Sequence, residues 1–236
     1  MLLLCNFASS AINENEVNVA TIDLMKYGFI ENGEKKGLYY EIANKIIIHA
    51  GYIPRNIIVP YPRAIHMIKM GTTDFSIMFT NAELVATAEQ LIPIIWLENI
   101  VVGISGTELN TLSDLHGKIV ATLRSASYDK RLDDDRNITK YPTIGYIESV
   151  KMLIKGRVDA IVGTRLNINM ALRELNLTKD TLGSPLILNS KFAFLQFSKK
   201  ANKSSIKDKI QKSALSLKEK GIFQKIINKY RSLEEY

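Results

Sequence analysis

Two acids at matching places, Asp74 and Asp159, are the residues of this 236-residue chain that first invite a catalytic reading. A carboxylate pair can divide general-acid and general-base work. Each of these acids, however, lies three residues after a glycine and just ahead of a short apolar run, in Gly71-Thr-Thr-Asp74-Phe-Ser-Ile-Met and Gly156-Arg-Val-Asp159-Ala-Ile-Val-Gly. Ligands of open parallel sheets bind beyond the carboxyl ends of the strands. Acids that precede their strands therefore read as turn-capping groups on the far side. The residues just past the same strands are better placed: Thr80 and Asn81 after one, Gly163, Thr164 and Arg165 after the other. Hydroxyls, an amide and a guanidinium facing one cleft can grip a small polar ligand, although Thr80 and Thr164 can equally N-cap the helices that follow.

A second cluster is Leu123-Arg124-Ser125-Ala126-Ser127-Tyr128. It follows a strand and opens a helix predicted to begin at Ser125, so free backbone N–H groups, the Ser125 and Ser127 hydroxyls and Arg124 form an anion pocket. Arg63 follows another strand end, and a bidentate guanidinium is the best protein fork for a carboxylate or phosphate. Tyr27, Phe29 and Trp96 are the aromatic candidates for stacking on a ligand, Tyr27 first; Trp96 lies in an apolar run and reads as core. His49, His66 and His116 are isolated, and no HExxH spacing, phosphate loop or nucleophile elbow occurs. No catalytic residue, metal or cofactor is expected.

The elements that must hold these residues follow from periodicity. Ile65 to Met78 and Val150 to Gly163 match position by position in polarity, with Gly and Asp in register. Each reads as a helix stopped by a left-handed glycine, a turn, and a strand buried on both faces. Strands are expected at Val17 to Leu24, Asn56 to Val59, Phe75 to Phe79, Ile119 to Leu123, Lys140 to Thr143 and Ala160 to Gly163. Helices are expected at Tyr39 to Ala50, Ala64 to Met70, Ser125 to Leu132, Glu148 to Lys155 and Leu166 to Leu175. Leu91 to Ser105 reads as one or two strands leading out of a first lobe, and Ser184 to Phe197 as strands running back. Alternating strands and helices with short joints mean parallel sheets.

The hydrophobic content of 46% allows a real core, and no apolar run is long enough to span a membrane. The net charge of +7 gathers in the last forty positions, where Lys alternates with Ile206, Ile210, Leu217, Phe223, Ile226 and Ile227 at helical spacing. That is the solvated face of a helix pair, with no nucleic-acid recognition motif beside it. Residues 1–11 read as a signal-peptide remnant with Ser9 and Ala11 before the cut, so an exported, periplasmic protein is expected. Cys5, the single cysteine, falls inside that segment, so no disulfide is expected.

In order along the chain, Gly37-Leu-Tyr-Tyr-Glu-Ile-Ala, the Gly71-x-x-Asp74 strand, Leu112-Ser-Asp-Leu-x-Gly-Lys118, Gly156-Arg-Val-Asp159-Ala and Lys220-Gly-Ile-Phe resemble the bacterial extracellular solute-binding proteins of family 3. The resemblance implies the type 2 periplasmic binding protein fold, two α/β lobes joined by two hinge strands. Residues 15–103 plus 193–236 would form lobe 1 and residues 104–192 lobe 2. It implies no catalysis, a small polar solute enclosed between the lobes, membrane subunits of an ABC importer or a membrane sensor as partners, and a monomer. Ligand-binding positions would be Tyr27, Arg63, Thr80, Asn81, Arg124, Ser125, Ser127, Tyr128, Thr164 and Arg165. The alternatives are a sensing or ligand-degenerate receptor without transport, and an enzyme on the same scaffold.

The chain departs from the amino-acid binders of that family at two points. They place an Arg shortly after the Thr80 region for the ligand carboxylate, and no Arg occurs between Ala64 and Leu123. Where they have an Asp for the ligand ammonium, this chain has Thr164. A neutral or anionic solute is therefore expected.

Overall fold

The computed structural model describes residues 15–201 and 203–232. The expected signal segment, with Cys5, lies outside the described residues. Strand β1 (Glu16–Ile22) is followed by a small hairpin, β2 (Phe29–Glu31) and β3 (Glu34–Lys36). Asn32 and Gly33 at its tip have φ of 52° and 80°, the left-handed pair that a tight two-residue hairpin needs. Then come α1 (Leu38–His49), β4 (Ile53–Val59), α2 (Tyr61–Met70), β5 (Phe75–Met78) and α3 (Ala82–Thr87). Strand β6 (Ala88–Gly103) is a single strand of 16 residues where one or two were expected.

The second half runs β7 (Ile119–Leu123), α4 (Lys130–Asp133), β8 (Thr139–Thr143), α5 (Tyr146–Ile154), β9 (Ala160–Thr164) and α6 (Arg165–Glu174), before β10 (Leu186–Ser198), α7 (Ser204–Glu219) and α8 (Ile222–Ser232). The helix expected to start at Ser125 starts at Lys130 and has four residues. Ser125 itself is left-handed, with φ of 63°, and a helix cannot pass through that conformation.

One eight-stranded sheet has the order β4-β1-β5-β10-β6-β9-β7-β8. Pairing is parallel within β4-β1-β5 and within β9-β7-β8. Each half thus places its first strand in the middle, flanked by its second and third, so the repeated architecture read from the two Gly-x-x-Asp segments is present in the topology. Between the halves lie β10 and β6, antiparallel to each other and to both neighbours. Their register slips near Leu188 and around Phe194, as bulges do where a strand must twist. Pro54 stands inside β4, which the sheet order makes an edge strand, where a missing N–H is tolerated.

The two acids have matching jobs. The Asp74 N–H donates to Asn18 O at 2.8 Å and its Oδ2 accepts from Asn18 N–H at 2.8 Å. The Asp159 N–H donates to Ile119 O at 2.8 Å and its Oδ2 accepts from Ile119 N–H at 2.7 Å. Each therefore staples the start of the central strand of its half. The preceding Gly71 and Gly156 are left-handed helix stops, with φ of 73° and 63°.

The C-terminal helices return to the first half and cover α1. Ser213 Oγ donates to Ile46 O at 2.7 Å and stands 3.0 Å from His49 Nδ1, while the Tyr230 hydroxyl donates to Glu41 and accepts from Gly37 N–H. Glu41 is held at the surface by Lys229 as well. No described helix is long and apolar enough to cross a membrane.

Candidate functional site

All six parallel strands point their carboxyl ends at one place. There the structure encloses a cavity of about 30 Å³, lined from the first half by Ile22 and Leu24 after β1, Tyr27, Tyr39, Tyr61 at the start of α2, and Met78 and Phe79 after β5. The second half supplies Leu123 at the end of β7, Ala126, Ser127 and Tyr128 after it, Tyr146 at the start of α5, Thr164 at the end of β9, and Asn167. Leu97 of β6 closes the side. This is the position at which open α/β sheets bind ligands.

Five tyrosines dominate the wall, all buried. Four of them repeat with the fold: Tyr27 and Tyr128 follow the central strands, and Tyr61 and Tyr146 open the helices after the second strands. The rings of Tyr27 and Tyr39 are stacked, with centroids 4.3 Å apart and planes 3° from parallel. Tyr128 Oη lies 3.0 Å from Tyr146 Oη and accepts the Leu123 N–H at 3.3 Å. Burial pushes the hydroxyls of Tyr39, Tyr61, Tyr128 and Tyr146 above the ordinary phenol range, so the wall is uncharged at any physiological pH.

Tyr146 fits only because its neighbour is glycine. A Cβ at Gly163 would sit 2.2 Å from Tyr146 Cε1, far inside contact distance. Thr164 is 2% exposed and its hydroxyl caps α6 by accepting Asn167 N–H at 3.2 Å. Asn167 is 1% exposed, and its Oδ1 is buried without a partner.

An outer cavity of about 380 Å³ adjoins the inner one and shares Leu24, Tyr61 and Leu123 with it. Its other walls are Asp23, Pro60, Pro62, Arg124, Thr143 and Ile144. The volumes matter together. Ligand pockets typically run to roughly 300–1,000 Å³, so the outer cavity is of solute size and the inner one has room for about one water.

Of the residues singled out from sequence, Tyr27, Ser127, Tyr128 and Thr164 line the inner cavity and Arg124 the outer. Ser125 is exposed in the same loop. The N–H groups expected to be free there are occupied: Arg124 N–H donates to Thr143 O, Ala126 N–H to Leu123 O, and Tyr128 N–H to Asp133 Oδ2, which also takes the Ser127 hydroxyl at 2.6 Å. Thr80 accepts from Gln196 Nε2 at 2.7 Å, and Asn81 caps α3 by accepting Leu84 N–H at 2.8 Å. Arg63 is exposed on α2 and outside both linings. Arg165 pairs with Glu98 in a separate groove beside the crossing strands, with Trp96 and Ser190. Trp96, expected in the core, is 51% exposed there, edge-on to Phe192 across the β6–β10 ladder at 4.5 Å. An antiparallel strand with one solvated face carries such a ring outward.

Tyr39, Tyr61, Tyr146 and Asn167 were not singled out. A signal for two of them existed: Tyr61 lies ten residues before Gly71, and Tyr146 ten residues before Gly156, so the internal repeat extends back to a shared tyrosine. Among the described residues no group of His, Cys, Asp and Glu could hold a metal ion.

Comparison with solved structures settles the architecture. The P235GK mutant of ArgBP from T. maritima superimposes with a TM-score of 0.77 over 92% of this chain and 96% of that one, at 18% identity. The chain has the type 2 periplasmic binding protein fold. The same fold is shared with an ancestral arginine-binding protein bound to arginine (TM-score 0.75, 20% identity, 92% and 98% covered). It is shared too with the GluR0 ligand-binding core from Nostoc punctiforme in complex with (L)-glutamate (0.75, 19%, 90% and 97%). By sequence the chain is 29% identical over 136 residues to the probable amino-acid-binding protein YxeM of Bacillus subtilis (strain 168). That match covers 56% of this chain and spans half the length of the relative. No family model matches.

Proposed function

We propose that this chain is a solute-binding protein, exported to the periplasm, that captures a small polar solute between its two lobes and delivers it to the membrane subunits of an ABC importer without catalysis. The observation that carries the reading is the tyrosine-walled cavity at the point where the carboxyl ends of both parallel strand sets converge. The fold and the partial likeness to a probable amino-acid-binding protein support it.

Lobe 1 in this reading holds β1, β4, β5 and the C-terminal helices, and lobe 2 holds β7 to β9. The β6–β10 pair is the hinge. A cavity with room for about one water belongs to a closed arrangement, so a solute enters when the lobes separate and biases the equilibrium by touching both on closure.

The test is native mass spectrometry of the freshly purified chain, followed by fluorescence titration of the recovered compound. Trp96 is the chain's single tryptophan and lies on the hinge pair, so its emission reports closure. A stoichiometric small molecule that rebinds and shifts Trp96 emission is the expected result. A purified chain that carries nothing, and that responds to no compound of a broad amino-acid, amide and organic-acid panel, would replace a transport receptor with a ligand-degenerate one whose tyrosines fill the cleft.

A further inference from the structure

Away from the inner cavity, the second half carries a groove of about 790 Å³ formed by β8, the joint after it and α5. Tyr141, Ile144, Ile147 and Met152 give it an apolar lining. Ile144 is 77% exposed, more than any other large hydrophobic side chain among the described residues, and Tyr141 is 46% exposed. Three cations, Lys151, Lys155 and Arg157, line the same groove; all are exposed, and among the described residues none is paired with an acid. The one acid in the lining, Glu148, accepts the Ile144 N–H at 2.9 Å.

The internal repeat shows that the fold does not require this surface. Counted from Gly71 and Gly156, the first-half counterparts of Lys151, Lys155 and Arg157 are His66, Met70 and Thr72. The counterparts of Tyr141 and Ile144 are Asn56 and Val59, which are 6% and 5% exposed. One architecture thus buries the first pair and exposes the second. An exposed apolar patch beside unmatched cations has the composition of a surface that a molecule of opposite charge covers.

The backbone of β8 is poorly suited to an added strand, although β8 ends the sheet. Thr139 N–H donates to Lys118 O and Thr143 O accepts from Arg124 N–H, so the alternate residues Lys140 and Pro142 turn their backbone groups outward. Pro142 has no N–H, which leaves an incoming strand a single donor there. The other wall suits a helix. Lys155 N–H donates to Lys151 O at 3.2 Å, so these two side chains leave α5 one turn apart on one face. Carboxylates one turn apart on a facing helix match that spacing.

We propose that this groove docks an acidic amphipathic helix of a protein partner, with carboxylates toward Lys151, Lys155 and Arg157 and apolar residues against Tyr141, Ile144, Ile147 and Met152. The inference goes beyond solute capture and does not depend on it. Ile144 also lines the outer cavity, so the docked helix lies beside that cavity.

The test is fluorescence anisotropy of a labelled helical peptide of Leu and Glu, with Leu at i, i+3, i+4 and i+7, titrated with the full chain alongside the same peptide carrying Lys for Glu. The expected result is saturable binding of the acidic peptide alone. Combining Lys151→Glu, Lys155→Glu and Arg157→Glu turns three exposed attractions into repulsions and should weaken binding about tenfold or more. Ile144→Asp should weaken it as well. His66→Glu with Met70→Glu places acids at the exposed counterpart positions on α2 and should bind as the parent does. If the charge-reversed variant fails to fold, the two peptides make the charge comparison on the unaltered chain. No binding of the acidic peptide, equal binding of both peptides, full binding by the charge-reversed variant, or an equal loss in the α2 variant would overturn the proposal. So would a chain that prefers phosphatidylglycerol vesicles to the peptide, or one that self-associates in sedimentation until Ile144→Asp separates it. Solute binding is measured separately and stands or falls apart from every one of these outcomes.

Discussion

The hydroxyl oxygens of Tyr128 and Tyr146, 3.0 Å apart, join the loop after the central strand of the second half to the helix after its neighbour. Both rings line the cavity, so the contact braces its wall. Tyr146→Phe removes the hydroxyl to which Tyr128 Oη is bonded. It leaves the buried Tyr128 hydroxyl short of a partner, a loss that costs about 1–3 kcal/mol. The expected outcome is a lower denaturant midpoint with an unchanged m-value. The spacing of the ring is kept, so a variant as stable as the parent would show that the hydroxyl pair does not brace this site.

Gly163→Ala tests the same ring from the other side. The added methyl would stand 2.2 Å from Tyr146 Cε1, so the ring has to leave its place or β9 has to shift. Overpacking of this kind typically costs about 1–3 kcal/mol. The expected signature is a drop in melting temperature together with loss of binding of whatever solute the parent chain holds. Tyr146→Ala in the Gly163→Ala background should relieve the clash, so a double variant no more stable than Gly163→Ala alone would count against it.

Much of the fold was legible because its signals are local. Gly71 and Gly156 stop helices, the four-residue apolar runs after Asp74 and Asp159 fill the buried strands β5 and β9, and the spaced apolar residues of Tyr39 to Ala50 became the buried face of α1. The carboxyl-end rule then pointed to Thr164 and the Arg124 to Tyr128 loop, which do border the cavities. What failed was whatever tertiary contacts decide. Arg165 follows a strand end as expected, but Glu98 of the adjacent β6 captures it. The Ser125 helix failed because a left-handed residue and Asp133 use up the backbone donors that a helix start would have exposed. Asn167 sits in an ordinary helix pattern, and nothing short of the packed structure reveals that its carbonyl is buried without a partner.

Asp129 gives the second half a pH dependence. Its carboxylate takes a two-point hydrogen bond from Arg131 and another from Asn189 of β10, which ties the α4 region to the hinge strand. The Arg131 bonds first, then Asn189, hold its pKa far below the usual carboxylate range against the opposing effect of burial. A depressed native pKa means the unfolded chain takes up the proton first, near pH 4. The stabilisation is therefore complete above about pH 5 and is lost as pH falls below that. Asp129→Asn should cost about 1–3 kcal/mol at pH 7, and the gap to the parent chain should narrow steadily between pH 5 and pH 2. A gap independent of pH over that range would mean the charge of Asp129 contributes nothing.

Asp74 and Asp159 make the same pair of backbone bonds yet should differ in worth. Asp74 is 2% exposed and its Oδ2 also takes Lys203 Nζ at 3.0 Å, whereas Asp159 is exposed to water. Replacing Asp74 by Ala leaves the Asn18 N–H and a half-buried ammonium without their acceptor in a dry environment, a loss of about 2–4 kcal/mol. At Asp159 water can replace the carboxylate on the Ile119 N–H, so Asp159→Ala should cost about 1 kcal/mol or less. Because the two staples stand in different halves, the costs should add in the double variant. Equilibrium urea unfolding of the three variants measures all of this. Equal costs at the two positions would show that the shared backbone geometry, rather than burial and Lys203, sets the value of the motif.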